Sequence, residues 1–141
     1  MTLYQSRSMS EQEARLLPPL KLAYIGDAVW ELMVATQMVY RGYSVRHIHK
    51  EAVARVNARA QSQTLARMLP ALTEAEEDIV RRGRNAHAHH AAPKNQDQAD
   101  YSAATALEAL MGYLYLTGQN ERLQQLFALS QTEEEACPRQ S

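Results

Sequence analysis

A chain of 141 residues, 45% hydrophobic and 22% charged, can bury one sizeable core but not two. Fifteen lysines and arginines against sixteen aspartates and glutamates leave a net charge of −1, which excludes a protein that holds an anionic polymer by bulk charge; any basic surface must be local. The single cysteine, Cys137, excludes an internal disulfide framework and a cysteine-based zinc module and suits a reducing compartment. No apolar run is long enough for a secretory signal or a membrane span, so the expectation is a cytoplasmic protein with no membrane partner. Five glycines and five prolines are few, and Ala, Leu, Gln, Arg and Glu abound, which predicts an all-α fold. One domain is expected over 1–141, its core at about 16–129, with a frayed N-terminus and an acidic C-terminal tail.

Residues 1–17 are polar and aperiodic up to Leu16 and Leu17. Pro19, tolerated in a first turn, opens a long helix from Leu20 to about Arg41, in which Leu22, Ile25, Val29, Leu32, Met33 and Val39 recur at helical spacing. Gly42 then sits where a left-handed cap is wanted. Val45 to Met68 reads as one second helical stretch, rich in arginine and lysine, ended by Pro70. Thr73 followed by Glu74, Glu76, Glu77 and Asp78 resembles an N-cap with acids in the first turn, and opens a helix to Arg84. Residues 91–98 read as a loop around Pro93. A nearly uncharged helix follows from Ser102 to Leu116, closed by Gly118, and a short last helix covers Glu121 to Leu129.

Two carboxylates stand out. Asp27 lies in Leu22-Ala23-Tyr24-Ile25-Gly26-Asp27-Ala28-Val29-Trp30, a segment apolar enough to be buried, where an ionised acid is costly unless a cation or donors meet it. Glu108 repeats the anomaly in the helix 102–116. Two such acids can converge on Mg²⁺, which takes one or two protein carboxylates and fills its octahedron with water and substrate phosphates; equally, each can be neutralised by a helix N-terminus or a buried arginine. Glu31, one turn after Asp27, reads as a surface residue rather than a third ligand, and Tyr24 and Trp30 as core packing rather than base-stacking groups.

Residues 79–94 hold Arg81, Arg82, Arg84 and Lys94 without an acid, a local positive field in a neutral chain. Arg82, Arg84, Asn85, Lys94 and Asn95 combine cations with amides, the mixture that suits the shallow minor groove and flanking phosphates of duplex RNA. A solvated helix end reads the same residues without function. Lys50, Arg55 and Arg59 form a weaker patch. His87, His89 and His90, with His47 and His49 as companions, lack the spacing and the cysteines of a zinc site and read as a surface cluster that gains charge below about pH 6.5.

LAYIGDAVWE at 22–31, followed some eighty residues later by YSAATALEALMGYLYL at 101–116, resembles the two acidic signatures of the ribonuclease III catalytic domain in sequence, order and separation. RRGRNAHAHH at 81–90, PKN at 93–95 and VNARAQ at 56–61 are closer to its Mini-ribonuclease III branch. The resemblance runs from about Leu16 to Phe127. It implies an all-helical homodimeric endonuclease that cuts double-stranded RNA with Mg²⁺, leaves 5′-phosphate and 3′-hydroxyl ends, and matures the large-subunit ribosomal RNA precursor, a ribosomal protein on that precursor being a candidate partner. On this resemblance Asp27 matches the catalytic aspartate and Glu108 the catalytic glutamate, both toward the metal. The wider family has further acids where this chain has Ala23 and Thr105, which favours one Mg²⁺ or a second held chiefly by RNA phosphates. After Phe127 the few remaining residues offer no double-stranded-RNA-binding domain, so affinity is expected from the catalytic dimer. The alternative is a ribonuclease III-like protein that binds structured RNA or a ribosomal partner without cutting.

Overall fold

The computed structural model describes residues 7–87, 92–94 and 96–131. Among them the chain forms seven α-helices and no strand: α1 (Glu11–Arg15), α2 (Pro19–Tyr40), α3 (Val45–Val56), α4 (Ala58–Met68), α5 (Glu74–Asn85), α6 (Gln98–Leu116) and α7 (Asn120–Ser130). A short 3₁₀ turn at Leu69–Ala71 follows α4. The all-α expectation holds, and no described helix is long and apolar enough to cross a membrane.

The centre of the fold is α6. A helix apolar around its whole circumference belongs inside a bundle, and Ala103 to Leu107 and Ala109 to Leu114 are all buried. It packs chiefly on α2, α5 and α4, with α1 and α7 at its periphery. Leu107, Leu110, Met111 and Leu114 are fully enclosed, and each such side chain contributes roughly 1.5–3 kcal/mol by leaving water. The break in this apolar surface is Glu108, which is only half-buried.

Local chemistry sets the helix ends. Thr73 and Glu76 form a capping box at the start of α5, as the acids after Thr73 predict. Gly42 and Gly118 take φ of +77° and +71°, the left-handed turns expected behind α2 and α6. The stretch Val45–Met68 is not one helix. Asn57 leaves it at ψ 160° and caps α4, its Oδ1 accepting from Ala60 N at 2.9 Å while its Nδ2 donates to Ala54 O at 2.8 Å. One side chain thereby closes α3 and opens α4. The polar segment before Leu16 contains α1, made by a Ser10–Glu13 capping box and tied to the core where Tyr113 Oη donates to Glu11 Oε1 at 3.0 Å. The first turn of α6 lies ahead of Ser102, because Asp97 caps it through Ala99 N and Asp100 N.

Across the bundle, Arg122 of α7 donates to both carboxylate oxygens of Glu76 on α5 at 2.8 Å and to Ala71 O. Burial alone raises the Glu76 carboxyl, but the hydrogen bonds and charge of Arg122 outweigh it and hold that carboxyl below its ordinary range.

Candidate active site

Asp27 and Glu108 meet because two helices touch backbone to backbone. A Cβ placed on Gly26 would lie 1.6 Å from the carbonyl oxygen of Glu108, and one on Gly112 would lie 1.9 Å from the carbonyl oxygen of Leu22. Only glycine permits this approach of α2 and α6. Because Asp27 follows Gly26 directly and Glu108 stands opposite it, the contact delivers one carboxylate from each helix to the same spot.

Asp27 is exposed, not buried as its apolar neighbourhood suggests. The buried face of α2 is carried by Leu22, Ala23, Gly26, Val29, Trp30 and Val34, and Asp27, exposed, falls at its margin, with Leu20, Tyr24, Ala28, Glu31 and Leu32 exposed beyond it. The carboxylate therefore sits at the rim of the α2–α6 seam, open to solvent, while Glu108 lies deeper. Trp30 is core, 2% exposed and packed on Phe127, whereas Tyr24 at 85% exposed is not.

Glu108 is strongly perturbed. Burial pushes its carboxyl up first; the Asp27 carboxylate, which it meets through a shared hydrogen bond and as a like charge, pushes it further, and the Glu31 charge adds to that. The result is a carboxyl raised to about 8. Glu31, read as a plain surface residue, is exposed but near enough for its charge to bear on the site. One side chain escaped the sequence reading: Gln61 of α4, 3% exposed, whose amide acts against these effects and favours the ionised Glu108. It lies within VNARAQ, but a buried glutamine in a polar stretch carries no signal until the packing is known.

The cationic residues are more dispersed. Arg82 is half-buried and donates to Leu17 O at 3.1 Å, which ties α5 to the segment after α1. Arg84 and Asn85, at the end of α5, are exposed, as is Lys94 in the connection to α6. Gly83, between Arg82 and Arg84, is a packing residue, since a Cβ there would lie 2.8 Å from Ala106 Cα. Asn95, His89 and His90 lie outside the described residues. His87 packs on Tyr101 with ring centroids 4.7 Å apart, and His47 stacks on Tyr43 at 4.1 Å and reaches Glu51 at 3.6 Å.

Two carboxylates on facing helices, one crowded enough to hold its proton at neutral pH, agree with the paired signatures of the sequence. The Ribonuclease III domain model matches residues 20–119. The chain belongs to the ribonuclease III family. It is 53% identical over 111 residues to a Mini-ribonuclease 3 of Symbiobacterium thermophilum, covering 78% of this chain and 85% of that one. It is 42% identical over 129 residues to a Mini-ribonuclease 3 of a Thermoanaerobacter species, covering 91% and 90%. A crystal structure of a protein from Fusobacterium nucleatum superposes with a TM-score of 0.74 at 31% identity, over 83% of this chain and 93% of that one. Ribonuclease III enzymes are endoribonucleases acting on double-stranded RNA, and this chain is an endoribonuclease of that family, similar over most of its length to Mini-ribonuclease 3 proteins.

The family generally uses a divalent metal ion, and the residues present fit one. All the candidate donors are carboxylate oxygens, which suit a hard cation, and the crowding of negative charge around Glu108 is what such a cation relieves. Among the described residues no group of three His, Cys, Asp or Glu side chains stands close enough to enclose an ion. A cation held here by Asp27 and Glu108 would have two protein ligands, with its remaining positions left to water and substrate phosphate.

Proposed function

We propose that this ribonuclease III-family chain is a Mg²⁺-dependent endonuclease of the cytoplasm that cuts double-stranded RNA in the large-subunit (23S) ribosomal RNA precursor, with Asp27 and Glu108 as its catalytic and metal-holding residues. The observation that carries the reading is the meeting of these two carboxylates at the solvent-facing edge of the Gly26–Gly112 contact. A buried pair would be out of reach of a polymer that cannot enter the core, whereas Asp27 stands at the surface.

When bound, the cation makes water easier to deprotonate and offsets the charge that develops on the phosphate. Asp27, exposed at the rim, orients the attacking water toward the scissile phosphorus. Glu108, whose carboxyl holds a proton more readily than an ordinary one, would give it up to help hold the ion, whose charge would offset the crowding of Asp27 and Glu31. As the water oxygen forms its bond to phosphorus and gives up a proton to solvent, the bond to the 3′-oxygen breaks, and that oxygen takes up a proton, leaving a 5′-phosphate and a 3′-hydroxyl.

Duplex contacts are assigned to Arg82, Arg84, Asn85, Lys94 and Asn95. Arg84, Asn85 and Lys94 are exposed and available, and Arg82 retains donors beyond its bond to Leu17. A homodimer with one acidic site per subunit, cutting the two strands with a stagger, is supported by the outward face of α2: Leu20 and Leu32 are 46% exposed and Tyr24 85%, beside Asp27. Leu16, 82% exposed, extends that apolar surface ahead of the helix. A ribosomal protein on the precursor is a further candidate partner.

The test is cleavage of an end-labelled ribosomal precursor duplex by wild type, Asp27→Asn and Glu108→Gln, each with Mg²⁺ or EDTA. Staggered, metal-dependent cuts lost or slowed by orders of magnitude in both variants support the reading; cutting near the wild-type rate after either substitution overturns the assignment. Retained binding without cutting by wild type would favour the non-catalytic alternative.

A further inference from the structure

We propose that Gln61 is a positioning residue for Glu108, a buried and unpartnered amide on α4 that takes the Glu108 carboxylate as its acceptor when that carboxylate ionises to meet a divalent cation, and so fixes its orientation. The inference rests on the metal-dependent reading above and deepens it.

Three observations carry it. Gln61 is 3% exposed, and burying an amide is costly unless a partner repays it. Its Nε2 is buried without a hydrogen-bond partner, so no bond within the fold accounts for its place in the core. The group it faces is Glu108, reached because α4 packs directly on α6.

Its surroundings sharpen the role. Asp27 and Glu31 both disfavour charge on Glu108, whereas the Gln61 amide favours it. The other positions beside the pair bring nothing equivalent: Ala23 has no polar atom, and the Thr105 hydroxyl donates to Tyr101 O at 3.1 Å. The local fold also places Gln61 deliberately. Asn57 breaks the α3–α4 stretch and caps α4, and Gln61 N then donates to Asn57 O at 3.0 Å in the first turn, which directs its side chain inward. A carboxylate has two oxygens, and a donor fixed on one leaves the other for the ion; such outer partners typically change metal affinity or activity 10–100-fold.

The experiment compares Gln61→Met, which keeps length and bulk but has no donor, with Gln61→His, which keeps an N–H at similar reach. Mn²⁺ affinity is measured by titration calorimetry on RNA-free protein, alongside kcat and KM on duplex RNA as a function of pH. Gln61→Met is expected to fold, to bind Mn²⁺ about 10–100-fold more weakly, and to lose kcat with little change in KM. The acidic limb of its pH profile should move upward, while Gln61→His retains most of the affinity. If Gln61 only fills space, Met outperforms His, and that order overturns the proposal. Equal Mn²⁺ affinity in all three proteins, with wild type still cutting RNA, overturns it alone. Wild type that binds Mn²⁺ in the expected order without cutting overturns the nuclease reading instead and leaves the role of Gln61 standing.

Discussion

Replacing Glu108 by glutamine should make the metal-free protein more stable, by an amount that grows with pH. In the folded chain the Glu108 carboxyl titrates at about 8, raised by burial and by the neighbouring Asp27 and Glu31, against 4.5 for an unperturbed carboxyl. Below the lower value the carboxyl is protonated in both states and has no effect. Between the two the folded state keeps a proton that the unfolded state has released, so wild-type stability falls as pH rises from 4.5 through 8. At about 1.36 kcal/mol per pH unit the ceiling is ~4.8 kcal/mol. Water reaches the half-buried side chain and screens it, which brings the expected loss to about 2–3 kcal/mol at pH 8.5.

Glutamine has the same shape and cannot ionise, so the variant escapes that loss. Thermal unfolding in EDTA should show nearly equal Tm values at pH 4.5 and a variant more stable by about 6–10 °C at pH 8.5. Mg²⁺ should then raise the Tm of wild type but not of Glu108→Gln, because only the former gains a ligand on folding. Parallel Tm curves across the pH range, or a variant less stable at pH 8.5, would refute the coupling of Glu108 to Asp27. A gain in stability beside a loss of cleavage marks a group held under strain for function.

Asp27→Asn should bind duplex RNA with near wild-type affinity yet cut it about 10³-fold more slowly in single-turnover assays, since several kcal/mol of charge stabilisation rest on that carboxylate. Gly26→Ala forces a methyl group into the Glu108 backbone, so urea denaturation should show a loss of about 3 kcal/mol or more. Arg84→Ala and Lys94→Ala should each weaken duplex binding regardless of sequence and reduce the slope of log affinity against log salt by about 1. Glu76→Gln breaks the bond to Arg122 and should cost about 3 kcal/mol at pH 7. Because pairing lowers the Glu76 carboxyl, that stabilisation is present above about pH 4.5 and is lost as pH falls, so the difference from wild type in urea should close at acid pH.

Most of the helices were legible because their signals are local. Apolar spacing in α2 and α6, the Thr73 capping box and the glycines at 42 and 118 act within a turn or two of chain, where the sequence is read directly. The exceptions have the same locality but weaker contrast. Asn57 in a polar run looks like any other helix residue until its side chain is seen to bond forward and backward, and α1 consists of five residues whose single buried member is Ala14.

Burial was harder to read, for a physical reason. Asp27 has apolar neighbours on both sides along the chain, yet a helix sorts residues by angle, and with Leu22, Gly26 and Val29 at the centre of the buried face position 27 falls at its edge, where its carboxylate reaches solvent. The same geometry explains Tyr24 and Glu31. What places Asp27 against Glu108 is the pair of glycines, whose meaning depends on another helix some eighty residues away. Gln61 depends on a third helix, α4, closing on the same spot. The two acids were thus singled out from residue type and the family resemblance, while the groups that bear on their charge and orientation are products of tertiary contact. A site made this way has a consequence for substitution: changes at Gly26, Gly112 or Gln61 should alter cleavage without touching RNA, through the charge and position of Glu108.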